Sequence, residues 1–154
     1  MRARDAFLAQ VDGLMVDDPA DLGLFASVLG GRLMRTGGGG SIINTTSIAG
    51  LSGDAGPLAY SAAKAAVINM SMGAAVELAS DRIRVNAICP GFIETPILSS
   101  IPDKVIKMME EKVPLRRLGK PEDFEGIGAY LCSDASSFIS GETIYIDGGY
   151  KCRP

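Results

Sequence analysis

Histidine is absent from the chain. That removes the usual general base and the commonest metal ligand, and leaves tyrosine among the few acid–base options. Cysteine is scarce. Cys89, Cys132 and Cys152 are an odd number, and no spacing among them suggests a metal site. A reducing cytoplasm is their simplest setting. Excess charge is missing as well: the net charge is −3 and no basic stripe appears, so no nucleic-acid partner is expected. Apolar runs are too short and too interrupted to span a bilayer, so no membrane partner is expected either. Met1–Asp5 opens without the apolar stretch of a secretory signal.

What remains is a sequence of 154 residues, 47% of them hydrophobic. That suits one compact domain with a real core and argues against disorder.

The most informative stretch is Tyr60-Ser61-Ala62-Ala63-Lys64. Four residues apart on a helix, Tyr60 and Lys64 share one face, one turn from each other. A free phenol ionises near pH 10, so it is a poor base at neutrality. A neighbouring ammonium favours phenolate over phenol, and a tyrosine so placed can exchange a proton with an alcohol or alkoxide. The same spacing also describes an ordinary solvated pair.

Upstream, Gly37–Gly40 precedes Ser41-Ile42-Ile43-Asn44-Thr45-Thr46-Ser47, an apolar, β-prone run that reads as a short buried strand over 41–47. Ser47 falls at its carboxyl end, where open α/β sheets place ligands. It could equally be a turn hydroxyl bonding its own backbone. Downstream, residues 83–89 form a second strand candidate, followed by Pro90-Gly91-Phe92-Ile93-Glu94-Thr95. Pro-Gly marks a turn, and a polar Thr95 beyond it suits a ligand-facing loop.

In this order and spacing, Ser47, Tyr60 and Lys64 resemble the catalytic serine and Y-x-x-x-K of the classical short-chain dehydrogenase/reductase family. Pro90-Gly91-x-x-x-Thr95 resembles that family's nicotinamide loop. Asn44–Gly50 is similar to one of its strand endings, and Gly141–Gly149 to its last strand. The resemblance runs from about residue 20 to residue 149 and covers the second half of the family pattern. It implies an α/β, partial Rossmann-like fold, a doubly wound parallel sheet lacking the N-terminal nucleotide-binding βαβ half.

The resemblance also implies hydride transfer between NAD or NADP and a small carbonyl or alcohol substrate. Tyr60 would be the acid–base. Lys64 would support it and hold the nicotinamide ribose, and Ser47 would bond the substrate oxygen. Ile93 and Thr95 would meet the carboxamide, beside Pro90 and Gly91. A homo-oligomer through the helices near 20–35 and 60–79 is implied too.

The Gly-rich strand–turn–helix that holds the pyrophosphate is not seen in this sequence; Gly37–Gly40 precedes a strand instead. NAD therefore cannot be told from NADP. Near a relay asparagine of the family stands Asp21, which would bring a charge. A second reading follows: a truncated, inactive relative serving only as an oligomerisation module. An in-frame Gly-rich segment upstream of Met1 would instead make the truncation a matter of start-site choice. A third, serine acyl hydrolysis, comes from Ser61-x-x-Lys64, whose companion motifs are absent.

Along the chain, Phe7, Leu8, Val11, Leu14 and Met15 form a helical stripe. Helices are expected at 20–35, 60–79 and 121–131, with Pro19 and Pro121 in first turns. Strands are expected at 41–47, 83–89 and 143–147. Residues 97–114 cover the substrate in the family, or form a plain amphipathic surface helix. A strand at 42–43 stripped of its neighbour would leave unpaired backbone groups, so the isolated chain is expected to bind dinucleotides poorly and self-associate.

Overall fold

The structure is a computed structural model that describes residues 19–53 and 55–152. The helical stripe expected at 7–15 lies outside them.

Helix α1 (Pro19–Gly37) leads into strand β1 (Gly40–Thr45). Pro19 opens the helix, where its missing N–H costs nothing. Gly38 and Gly39 close it at φ of 91° and 129°, a region a side chain would resist. Helix α2 (Leu58–Glu77) follows, then β2 (Ile83–Pro90), α3 (Asp103–Lys112), α4 (Glu125–Cys132) and β3 (Thr143–Ile146). The three strands lie in the order β1-β2-β3, all parallel. Gly40 pairs with Ile83 and Thr45 with Ile88; Ala87 pairs with Thr143 and Pro90 with Ile146.

The alternation of side chains builds three layers. Ile42, Ile83 and Val85 pack with Ala75, Leu78 and Met34, on the side of α1 and α2. On the opposite face, the Ser41 hydroxyl donates to the Leu131 carbonyl of α4 at 2.7 Å. Arg84 donates to Leu131 and Ser133 carbonyls and to the Ser136 hydroxyl, tying β2 to the end of α4. Asn86, fully buried, donates to the Ile139 carbonyl and accepts from the Glu142 N–H, which satisfies its amide. Both faces of the sheet are covered, as a parallel sheet requires.

Several expected boundaries shift by a few residues: α1 spans Pro19–Gly37, α2 Leu58–Glu77, and β3 ends at Ile146 rather than 147. β1 stops at Thr45 rather than running to 47; the Thr46 N–H still donates to the Ile88 carbonyl at 2.9 Å, and its hydroxyl donates to the Lys64 carbonyl of α2 at 2.8 Å. The last helix is also shorter than expected: residues 121–124 form a 3-10 turn with Pro121 in its first turn, and the α-helix begins at Glu125. Among the described residues, no helix is long and apolar enough to cross a membrane.

Candidate active site

The carboxyl ends of β1 and β2 lie side by side, and the expected residues gather there. Ser47 caps a 3-10 turn over Ile48–Gly50, and its hydroxyl accepts from the Ala49 N–H at 3.2 Å. The turn lies directly on α2. A Cβ on Gly50 would sit 2.8 Å from the Ala65 nitrogen and the Lys64 carbonyl carbon, so only glycine allows that approach.

Tyr60 stands in the first turn of α2, 46% exposed. Lys64 is one turn further on. Its Nζ donates to the Thr45 carbonyl at 3.2 Å and lies 5.8 Å from the centroid of the Tyr60 ring. The ammonium is thus held between the end of β1 and the phenol. Ser61 turns the other way, with its hydroxyl donating to the Gly56 carbonyl at 3.4 Å. Lys64 and Ser61 have different partners, and this arrangement does not build a serine–lysine nucleophile.

α2 is held in place by a polar chain. Ser27 of α1 donates to Asn44 Oδ1 at 3.3 Å, Asn44 Nδ2 donates to Ser71 of α2 at 3.0 Å, and Ser71 donates to the Val67 carbonyl at 2.7 Å.

Pro90 ends β2, and Gly91 follows with its N–H on the Ile146 carbonyl at 3.0 Å. A Cβ on Gly91 would lie 2.8 Å from the Asp147 Cα. Ile93 bridges to Gly119: the Gly119 N–H donates to the Phe92 carbonyl at 2.9 Å, and the Glu94 N–H to the Gly119 carbonyl at 2.8 Å. Thr95 is exposed and precedes a 3-10 turn over Pro96–Ser100, beyond which α3 begins. α3 is amphipathic, with Val105 and Met108 exposed.

Beneath this loop sits an apolar cluster of Ile48, Cys89, Val113 and Tyr150, with Phe92 and Tyr145 packed against it. Burial pushes the Cys89 thiol up to about 11; the Asp147 carboxylate adds to this and Lys151 opposes it. The Lys151 ammonium stands 3.6 Å from the Tyr145 ring centroid. Nearby, Arg117 grips Asp123 with two bonds of 2.7 and 2.9 Å. That guanidinium, followed by the Lys120 N–H, holds the Asp123 carboxyl down at about 2. A cleft of about 490 Å³ opens here, lined by Phe92, Ile93, Val113, Leu115 and Tyr145 among others. Of the expected site residues only Ile93 lines it.

A nicotinamide dinucleotide fits this end of the sheet in part. A half-exposed phenol, a fixed ammonium and a loop clamped at Gly91 and Ile93 suit the nicotinamide half. For the pyrophosphate, no glycine-rich turn leads from a strand into a helix among the described residues. The glycines at 38–40 enter β1 at the opposite end.

Tyr150 lies one residue beyond the resemblance, which ends at Gly149, and Phe92 entered only as part of the Pro90–Thr95 loop. The adjacent glycines 148 and 149 are the sequence signal of a turn before Tyr150, and the structure gives them φ of 61° and 86°.

Known proteins share this parallel sheet and its covering helices, and comparison with them gives the chain's family. The family described as enoyl-(acyl carrier protein) reductase matches residues 24–151. The chain is 46% identical over 110 residues to the 3-oxoacyl-[acyl-carrier-protein] reductase FabG of Thermotoga maritima, covering 71% of this chain and 45% of that protein. It is 44% identical over 119 residues to the cis-4-hydroxycyclohexanecarboxylate dehydrogenase of Sinomonas cyclohexanicum, covering 77% and 48%. A solved short-chain type dehydrogenase/reductase from Mycobacterium marinum superposes with a TM-score of 0.78 at 35% identity, covering 90% of this chain and 60% of that one. A structure from Beutenbergia cavernae, described as an NAD(P)-dependent gluconate 5-dehydrogenase with bound NADP, gives 0.81 at 30% identity, covering 86% and 54%. The chain belongs to the short-chain dehydrogenase/reductase family. It spans about half the length of the curated relatives it matches.

Proposed function

We propose that this chain carries the proton-transfer and nicotinamide-facing half of an NAD(P)-dependent oxidoreductase that interconverts a small carbonyl compound and its alcohol. The observation that carries the reading is the seat of Lys64, between the Thr45 carbonyl and the Tyr60 ring. When bound, the nicotinamide supplies or accepts the hydride. Tyr60 donates a proton from its hydroxyl to the forming alkoxide, or takes one from the alcohol. The Lys64 ammonium stabilises the phenolate left behind and bonds the nicotinamide ribose. The Ser47 hydroxyl donates to the substrate oxygen, and Ile93 and Thr95 border the carboxamide beside Pro90 and Gly91. The cofactor is NAD or NADP, which share the nicotinamide half. A reducing compartment such as the cytoplasm suits the three free thiols.

The alternative is an oligomerisation module without turnover. It is favoured by apolar side chains left exposed on α1 and α2: Leu33 at 66%, Leu58 at 87% and Val76 at 79%. The same face would serve a homo-oligomer of an active enzyme.

The test is carbonyl reduction with NADH and NADPH, monitored by loss of the reduced-nicotinamide absorbance, for wild type and Tyr60→Phe. The variant keeps the ring and loses the proton, and turnover should fall by about 10²–10⁴. A Tyr60→Phe rate equal to wild type removes Tyr60 from the acid–base role. A wild type without turnover, but dimeric or larger by light scattering, favours the module.

A further inference from the structure

We infer that Tyr150 is a positioning residue, whose ring holds the Phe92–Thr95 loop in place against the serine turn. The inference rests on the proposed reading that this loop meets the nicotinamide.

Tyr150 is only 2% exposed, and its ring meets Phe92 edge to face, with centroids 5.0 Å apart and planes at 85°. Such pairs add stability beyond area burial. The location of the ring matters more than its size. The cluster it completes draws one residue from each of four places: Ile48 beside Ser47, Cys89 near the end of β2, Val113 at the foot of α3, and Tyr150 itself. Ile48 and Phe92 flank the proposed substrate oxygen and carboxamide contacts by one residue each. The cluster therefore joins the serine turn to the cofactor loop, and Tyr150 is the member whose ring meets Phe92.

The backbone around Tyr150 reinforces the hold. The Asp147 carboxylate accepts from the Gly149 and Lys151 N–H groups at 2.9 and 2.8 Å, which winds the terminal turn tightly. The Tyr150 N–H donates to the Asp147 carbonyl, and the Leu115 N–H to the Gly148 carbonyl at 3.2 Å. The loop's own bonds, Gly119 to Phe92 and Glu94 to Gly119, form an isolated bridge with no ladder beside them. A two-bond bridge opens locally far more readily than a strand inside a sheet. Its stability rests on the rings beneath it. The β1–β2 ladder packs over a separate cluster of Ala75, Ile83 and Val85 and does not depend on Tyr150.

The experiment is amide hydrogen exchange resolved by NMR on the full chain, with NADH titrated by fluorescence, for wild type, Tyr150→Leu, Tyr150→Phe and Phe92→Leu. In Tyr150→Leu the Glu94 and Gly119 amides should exchange about tenfold faster or more, while the Thr46 amide on the Ile88 carbonyl keeps its wild-type rate. NADH affinity should drop by several-fold alongside. Tyr150→Phe retains the ring and should restore both. Phe92→Leu removes the other ring and should reproduce the local pattern, which covers the case of a Tyr150→Leu that does not fold. The inference is overturned if exchange at Glu94 and Gly119 is unchanged, or rises equally at Thr46, or if wild type binds NADH and the ring-deleted variants bind it as well. If the exchange pattern appears and wild type takes up no NADH, Tyr150 still holds the loop, and the nicotinamide reading of that loop is what falls.

Discussion

The two sides of the candidate site are built in opposite ways. On one side, Ser47, Tyr60 and Lys64 are polar and partly open, and their places are set by hydrogen bonds and one glycine contact. On the other, Phe92 and Ile93 rest on a buried apolar cluster, and their places are set by packing. In the proposed reading a proton travels on the first side, and its groups then need directional partners and access. A planar ring would only need to lie on the second, so shape suffices there. Adjacent residues show the contrast: Ser47 faces the open side and Ile48, 4% exposed, faces the core.

Exchanging those neighbours breaks the comparison most directly. Ser47→Ala should cost about 10²–10³ in turnover, the scale for one donor to a developing oxyanion. Its cost in stability should stay within about 0.5–2 kcal/mol, the worth of a cap. Ile48→Ala should do the reverse and lose about 2–5 kcal/mol of unfolding free energy through its cavity. Urea denaturation and initial rates, measured on both variants, would show whether the sides are separable; equal losses of stability would show that they are not.

Cys89 sharpens the point from inside the cluster. Its thiol should resist iodoacetamide in the native chain while exposed Cys132 and Cys152 react, as mass spectrometry of the labelled peptides would show. The sign of its pH dependence follows from burial. Between its ordinary value near 9 and about 11, an unfolded chain has released this proton and the folded chain retains it. Stability should therefore fall as pH rises through that window, and Cys89→Ala should flatten that part of the thermal-melting profile.

The smallest effect belongs to the exposed pair at the cleft rim. Asp123 is held at about 2 against an ordinary 3.8, so its contribution is present above pH 4 and disappears as pH drops toward 2. Asp123→Asn should remove that acid-side slope and lower the melting temperature at neutral pH by the same small amount, since surface pairs contribute little.

The packed sheet was largely legible from residue patterns. Ile42-Ile43 and the 83–89 run announced two strands through their β-branched residues, and the spacing of Tyr60 and Lys64 announced their shared helix face. Both alternatives raised for Ser47 were visible from its position, and the structure shows the turn hydroxyl at the end of the sheet. Less could be read of contacts between distant segments. Nothing local says that the Thr46 hydroxyl bonds the Lys64 carbonyl. Nor does a lone aromatic after two glycines reveal which loop it lies beneath. Arg84 looked like an ordinary charged residue in a strand, yet its guanidinium gathers three partners near the end of α4. Periodicity encodes which face is buried; it carries no address for the partner on the other side.

The polar chain through Ser27, Asn44 and Ser71 has a consequence for how the chain assembles. An apolar strand such as Ile42-Ile43 can slide, because either isoleucine fills a greasy slot. Asn44 makes the slots unequal. A slip by one residue turns every side chain to the opposite face, so Ile43 would meet two serine hydroxyls and the amide would face the wrong layer. Each stranded buried group would cost about 1–3 kcal/mol. The trio thus works as a registration key. It penalises misaligned packing of β1 between α1 and α2, and so selects the one alignment in which Lys64, on the same helix as Ser71, reaches the end of β1.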